Sequence, residues 1–226
     1  MPAMPQPVLN NLTPDGLARY VSTQLSTFFP DGGGPSGASI RGHVLAALAR
    51  THRCFHLISR PKFRAGDAVL MNHLHPDHYA VFLYFLGNTV FRASGDRDLA
   101  FRIFYLNKVL HSLDAFYDAE LPEVFQLMHA TGTVLGHARF GNYFCVYQNC
   151  TVGSDESGNF PEFGEAVVMY AGARVIGNCR IGSNVVIGAG ALVVNRDVPD
   201  NTVVVSESTR VRMVRNDRHV MDRRFR

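Results

Sequence analysis

The segment "EFGEAVVMYAGARVIGNCRIGSNVVIGAGALVV", residues 162–194, returns an apolar residue at every sixth position, from Phe163 through Met169, Val175, Ile181 and Ile187 to Val193. A helix repeats near 3.6 residues and a strand at two, so neither period accounts for the spacing. A persistent repeat of another length is the mark of a solenoid, in which no unit can bury its own apolar face and each must stack on its neighbours. If each hexad is one short straight segment and one turn, three hexads close a triangular coil of about 18 residues. The recurring aliphatic then points inward on every face.

The same register runs backwards through Val152, Val146, Phe140 and Val134, with a break of about one loop before Phe163. Four places after these residues stand Ala138, Cys150, Val167, Ala173, Cys179, Val185 and Ala191, small or β-branched and suited to an inward place beside a turn; Phe144 is the misfit. Glycine or asparagine recurs near the corners, at Gly141, Asn142, Gly177, Asn178, Gly182, Asn184 and Gly188, where left-handed backbone is expected. The expected object is a parallel β-helix prism.

Residues up to about 110 have a different period. "DGLARYVSTQLSTFF", "IRGHVLAALARTHRCFHLI", "DHYAVFLYFLGNTVFR" and "RDLAFRIFYLNKVLHSL" place apolar residues at helical spacing, with Asp15, Asp77 and Asp96 as expected N-caps and "DGGGPSG" (31–37) separating the first two helices. The fold class is therefore α+β. An α-helical N-terminal domain spans 1–110, a β-helix domain 111–205 and a basic C-terminal tail 206–226.

Composition narrows the function. A chain of 226 residues with 46% apolar content buries a sizeable core. The net charge is only +3 and the basic excess gathers in "TRVRMVRNDRHVMDRRFR" (209–226), not over a broad face, so no nucleic-acid partner is expected. That tail reads as a solvated helix or a strap against a neighbour, with anion or phosphate binding as the second reading. Cys54, Cys145, Cys150 and Cys179 have no C-x-x-C spacing and fit reduced thiols in a cytoplasm. "MPAMPQPVLNNLTPDG" lacks a basic n-region and apolar core, and no run of 18 apolar residues occurs, so neither export nor a membrane is expected. In "HLHPDH", His73, His75 and His78 have a spacing a metal can use, but a helix start at Pro76 and Asp77 scatters the rings. His111, His129 and His137 form no convincing triad either, and no metal is expected.

"RVIGNCRIGSNVVIGAGALVVNRDVP" (174–199) resembles the hexapeptide-repeat acyltransferases, which implies left-handed winding of the prism. "LMHATGTVLGHARFGNYFCVYQNCTVG" (127–153), with helices ahead of it, is similar to the active-site coil of the serine O-acetyltransferases. That resemblance implies an acetyl-CoA-dependent O-acetyltransferase in which His129 is the general base. An acid about one coil earlier orients it: Asp114, with Asp118 and Glu120 as rivals. Acetyl-CoA is then expected in a groove between subunits of a homotrimer, or of a dimer of trimers. It would lie over Gly153, Ala171, Gly172, Ala189 and Gly190, with Arg174 or Arg196 toward its phosphates. The chemistry requires such a pair, because an alcohol becomes nucleophilic near neutral pH only as a base removes its proton, and a carboxylate fixes the imidazole tautomer. Gln148 falls near His129 one coil on, on the substrate side, and backbone N–H groups near "QNCTVG" are placed to meet an oxyanion. His129 at a coil edge and Asp114 at a helix end also have plain structural readings.

The chain departs from the family in two places. An acid usually precedes the catalytic His and an Arg-His pair sits on the loop interrupting the prism; here stand Met128, and Asn159 with Phe160. The acceptor therefore stays open between L-serine or a related small hydroxy compound and a sugar hydroxyl of a polysaccharide or glycoconjugate precursor. For an amino acid, Asp77, His73, His78, Asp155 or Glu156 would have to compensate. "DRRFR" replaces the terminal isoleucine through which some members dock a sulfhydrylase, so that complex is not expected. A non-catalytic trimeric scaffold is the reading from a different class.

Overall fold

The computed structural model describes residues 6–207 and 210–225; Met1 to Pro5 of the N-terminal stretch, and Ser208, Thr209 and Arg226 of the basic tail, lie outside the described residues. The chain divides into two compact units, one running mainly to His111 and taking in Phe116–Asp118, the other mainly from Ser112 and taking in Leu57–Ser59.

The first unit contains α1 (Pro14–Phe28), α2 (Gly37–His56), α3 (Pro76–Ser94) and α4 (Arg97–His111), with a small sheet of β1 (Val8–Leu9), β2 (Arg64–Ala65) and β3 (Ala68–Met71). Helix α3 is buried without interruption from Asp77 to Val90, as its dense apolar run requires. Of the three expected caps only Asp96 serves, accepting from the Leu99 N–H at 3.0 Å. Thr13 caps α1 instead, its hydroxyl accepting from the Gly16 N–H at 3.0 Å, because Pro14 takes the first helical position and pushes Asp15 into the first turn. Pro76 does the same to Asp77. No helix among the described residues is long and apolar enough to cross a membrane.

The second unit is a parallel β-solenoid with three faces. One face stacks β4 (Asp114–Ala115), β6 (Val134–Leu135), β9 (Thr151–Gly153), β12 (Arg174–Ile176) and β15 (Leu192–Val194). The second stacks β5 (Phe125–Met128), β8 (Phe144–Tyr147), β11 (Val168–Met169), β14 (Val186–Ile187) and β16 (Thr202–Glu207), and β17 (Arg210–Arg215) adds to β16 antiparallel. The third holds β7 (Arg139–Phe140), β10 (Glu162–Phe163) and β13 (Arg180–Ile181). Registers such as Val175↔Val193, Met169↔Ile187 and Phe163↔Ile181 put the hexad aliphatics in continuous inward columns. The inward place expected for Val134 belongs to Leu135, which pairs with Val152 and is 2% exposed against 40% for Val134. The first coil is one residue short there, so the hexad count slips. Phe144 is accommodated by an aromatic cluster, its ring 4.9 Å from Phe140 and 5.6 Å from Phe163.

The corners are built in two ways. Of the expected left-handed positions only Gly177 and Asn184 have positive φ; others fall on Gly132, Asn149, Gly172 and Gly190. Gly141, Gly164 and Gly182 are needed for a different reason. A Cβ on Gly141 would lie 2.5 Å from the Gly164 backbone, one on Gly164 2.8 Å from the Gly182 backbone, and one on Gly182 2.5 Å from the Asp200 nitrogen. Successive coils touch there through bare backbone.

The basic tail is a strap, but on its own prism. After β17, α5 (Val220–Arg224) lies against the second face: the Val220 N–H donates to Asn184 Oδ1 at 2.9 Å and Phe225 packs 5.3 Å from Tyr143. Cys145 therefore points outward yet is fully buried. No disulfide joins the four cysteines, all of them buried.

Candidate active site

Strand β5 ends at Met128, paired with Tyr147 of the next coil, so His129 and Gln148 follow side by side at the corner between the second and first faces. The corner is a hydrogen-bonded column: the Gly132 N–H donates to Ser112 O, Asn149 to Thr131 O, Gly172 to Gln148 O and Gly190 to Ala171 O, each at 2.9 Å. His129, Gln148, Ala171, Gly172, Ala189 and Gly190 thus share one edge of the prism. His129 is exposed and its backbone is left-handed, with φ 54°. Gly172 and Gly190, with φ 71° and 67°, turn the same corner without a side chain and leave the edge bare.

Asp114 opens β4 one coil below, half-buried, in register with Val134 and donating its N–H to Thr133 O at 2.9 Å. It flanks the corner that His129 begins. Glu120 is exposed, and Asp118 belongs to the helical unit. Gln148 is half-buried, and its Oε1 is buried without a hydrogen-bond partner among the described residues. The amides near "QNCTVG" are engaged in the solenoid: Asn149 N–H bonds Thr131 O, Cys150 N–H bonds Thr133 Oγ1 and Thr151 N–H bonds Ala173 O. That stretch offers no free oxyanion donors at these three positions.

Not every expected residue joins the edge. Gly153 lies at the far end of β9, where its carbonyl accepts from Gly177. Arg174, exposed, begins β12 beside the edge; Arg196 is exposed beyond β15. Asp77 is in the helical unit and pairs with Lys62 at 2.8 Å. There His75 and His78 stack at 4.3 Å, against the expected scattering of these rings, while His73 packs 5.0 Å from Tyr20. Among the described residues no group of three His, Cys, Asp or Glu side chains converges. On the interrupting loop, Asp155 accepts from Ser157 and Asn159, which holds its carboxyl below the usual range, the Asn159 side chain contributing most.

One cluster went unforeseen. Arg224 of α5 is 6% exposed, donates from Nη2 to Tyr170 Oη at 3.1 Å and lies 5.3 Å from the Tyr147 ring centre. Tyr147 and Tyr170 stack at 4.9 Å. Burial opposes the guanidinium charge, but the Cys145 sulfur and both phenol oxygens outweigh it and raise the pKa. The signal in the sequence is that each tyrosine directly follows an inward residue, Val146 or Met169, so both project from one face.

No family profile matches the chain. Serine acetyltransferase of Synechococcus elongatus is 39% identical over 111 residues, 47% of this chain and 45% of that protein. The chain thus spans less than half the length of that curated relative. Among solved structures, serine acetyltransferase of Neisseria gonorrhoeae in complex with serine is 25% identical, covering 90% of this chain and 84% of that one with a TM-score of 0.65. Serine acetyltransferase of Brucella abortus in complex with coenzyme A is 19% identical, covering 91% and 83% with a TM-score of 0.67. Through the sequence of its repeats, and through a fold shared over about nine-tenths of its length, the chain is a hexapeptide-repeat protein that resembles the serine O-acetyltransferases.

Proposed function

We propose that the chain is an acetyl-CoA-dependent O-acetyltransferase acting on L-serine or a related small hydroxy compound. The observation that carries this is the single prism edge on which exposed His129 stands beside Gln148, with the bare corners Ala171–Gly172 and Ala189–Gly190 stacked above them. A neutral imidazole at His129 takes the acceptor's hydroxyl proton as that oxygen attacks the thioester carbonyl. The C–S bond then breaks, and the proton held by His129 goes to the departing thiolate. Asp114, at the same corner, steadies the ring and its transient positive charge. Gln148 Oε1, unmatched among the described residues, accepts a hydrogen bond from the acceptor.

The small corners allow the donor's pantetheine arm to lie against backbone, which a larger side chain would hold away. The same reading carries left-handed winding, a groove shared between prisms, and assembly as a trimer or dimer of trimers. The test is release of free CoA thiol from acetyl-CoA with L-serine, other hydroxy amino acids or sugars offered, using His129→Asn as control. Serine-dependent release lost in the variant supports the reading. Release with sugars alone moves the acceptor, and no release with any of them favours a scaffold.

A further inference from the structure

Among the described residues, the buried polar atoms left unmatched on the outer side of the second face, Arg224 Nη1 and Gln126 Nε2, are both donors. Arg224 Nη1 is buried with no acceptor among the described residues, and the guanidinium keeps its charge at any physiological pH. Gln126, fully buried, accepts from the Cys145 thiol through Oε1 at 3.7 Å, which leaves Nε2 buried and unmatched. Cys145 links the two: its thiol bonds Gln126, with which its Cα is in register, and Arg224 lies over Tyr147, two residues on in the same strand. Among the described residues no carboxylate pairs with Arg224. A buried cation and a buried amide donor on one outer face, with no acid paired to the cation among the described residues, are complementary to an anion with two oxygens.

Their position gives the anion a role. Gln126 and Met128 project from β5 on the same side as Cys145 and Tyr147, and Met128 immediately precedes His129. At about 3.3 Å per residue the cluster lies within about 10 Å of the His129 backbone. An ammonium group brought there would meet a guanidinium and a thioether; a carboxylate would meet the Arg224 fork and the Gln126 amide.

We infer that Arg224 and Gln126 form a carboxylate subsite beside His129, so that the acceptor is a small hydroxy compound bearing a carboxylate, recognised through its acid group and not through an amine. This rests on the reading of His129 as the base. The subsite is closed by α5, one turn held to the face by Val220, Arg224 and Phe225, and a turn of that length does not hold itself. Entry of the acid therefore requires α5 to lift, and because Arg224 rides on α5 the subsite is complete only when the turn closes again.

The experiment is equilibrium titration calorimetry on the full chain without acetyl-CoA, comparing L-serine with L-serinamide and glycolate with glycolamide. The expected result is that at least one acid binds about tenfold or more tightly than its amide. Arg224→Lys, which keeps charge but loses the fork, and Gln126→Leu each reduce that preference about fivefold or more. The glycolate pair shows whether an amino group is used at all. Equal binding of acid and amide in both pairs, no binding of any of the four, or an unchanged preference in both variants with wild-type melting temperatures would overturn the inference. The titration needs no turnover, so the two readings fail separately. Acid preference without acetyl transfer sinks the proposed reaction and leaves the subsite, while transfer without acid preference does the reverse.

Discussion

His129 is held at φ 54°, a region that asparagine enters at little cost and β-branched residues enter badly. His129→Asn is therefore the variant that separates chemistry from folding. It is expected to lower kcat/KM by about 10²–10⁴ while the melting temperature stays at the wild-type value. His129→Val is expected to lose the same activity and, in denaturant titration, a further 1–2 kcal/mol or so of stability. Asp114→Asn is expected to reduce kcat by less than the His129 change and to alter its pH profile; a profile identical to wild type would mean that Asp114 only packs. His129 and Gln148 were legible because motif and coil length together set two residues side by side. Asp77 pairs with Lys62 of a 3-10 turn (Pro61–Phe63), a partner that its sequence position does not announce. Arg224 was invisible because a run of arginines reads as solvated until something is seen to cover one of them.

Among the elements, the third prism face depends on contact through bare glycine. Gly182→Ala puts a methyl group 2.5 Å from the Asp200 nitrogen, and Gly141→Ala meets the Gly164 backbone as closely. Each is expected to cost about 1–3 kcal/mol in urea unfolding, because backbone held by ladder bonds on both sides cannot give way. Gly190→Ala meets no atom within 4 Å, and its penalty is that of φ 67° alone, about 1 kcal/mol. Equal losses at all three sites would refute the stacking argument. The hexad period foretold the solenoid and most of its inward columns. It missed the slip at Val134 and the reason for several glycines, because a period counts residues and does not register where a coil is one residue short.

Over the whole molecule, acid is expected to act first on the helical unit. His78 is fully buried among Phe55, Phe63 and His75, and its pKa is pushed down from 6.5 to about 3 by burial first, then by His75 and Lys62. His111 is lowered to about 4, again mainly by burial, against an upward pull from Asn107 and Asp77. Both rings are neutral when folded and take up protons near 6.5 when unfolded. Their contribution to stability is thus complete above about pH 6.5. It falls with pH by up to about 1.4 kcal/mol per unit for each histidine until their folded pKa values are reached. Urea unfolding followed by helical circular dichroism between pH 7 and 5 measures the slope. His78→Gln, which keeps an acceptor for the Asn72 N–H, is expected to remove about half of it; an unchanged slope would show that His78 does not titrate as argued.

The amino-acid sequence by itself determined the solenoid, the helical first half and the edge that joins His129 to Gln148. Each of these follows from short-range periodicity, which a covalent chain carries wherever it goes. Only the tertiary structure decided which polar groups are buried and beside what: Asp77 against Lys62, Cys145 beneath the strap, and Arg224 stacked on two tyrosines from successive coils. Burial and pairing depend on segments far apart in the chain meeting at one place. Coil length predicts that meeting within the prism, but no local pattern predicts it for a tail that folds back over a face.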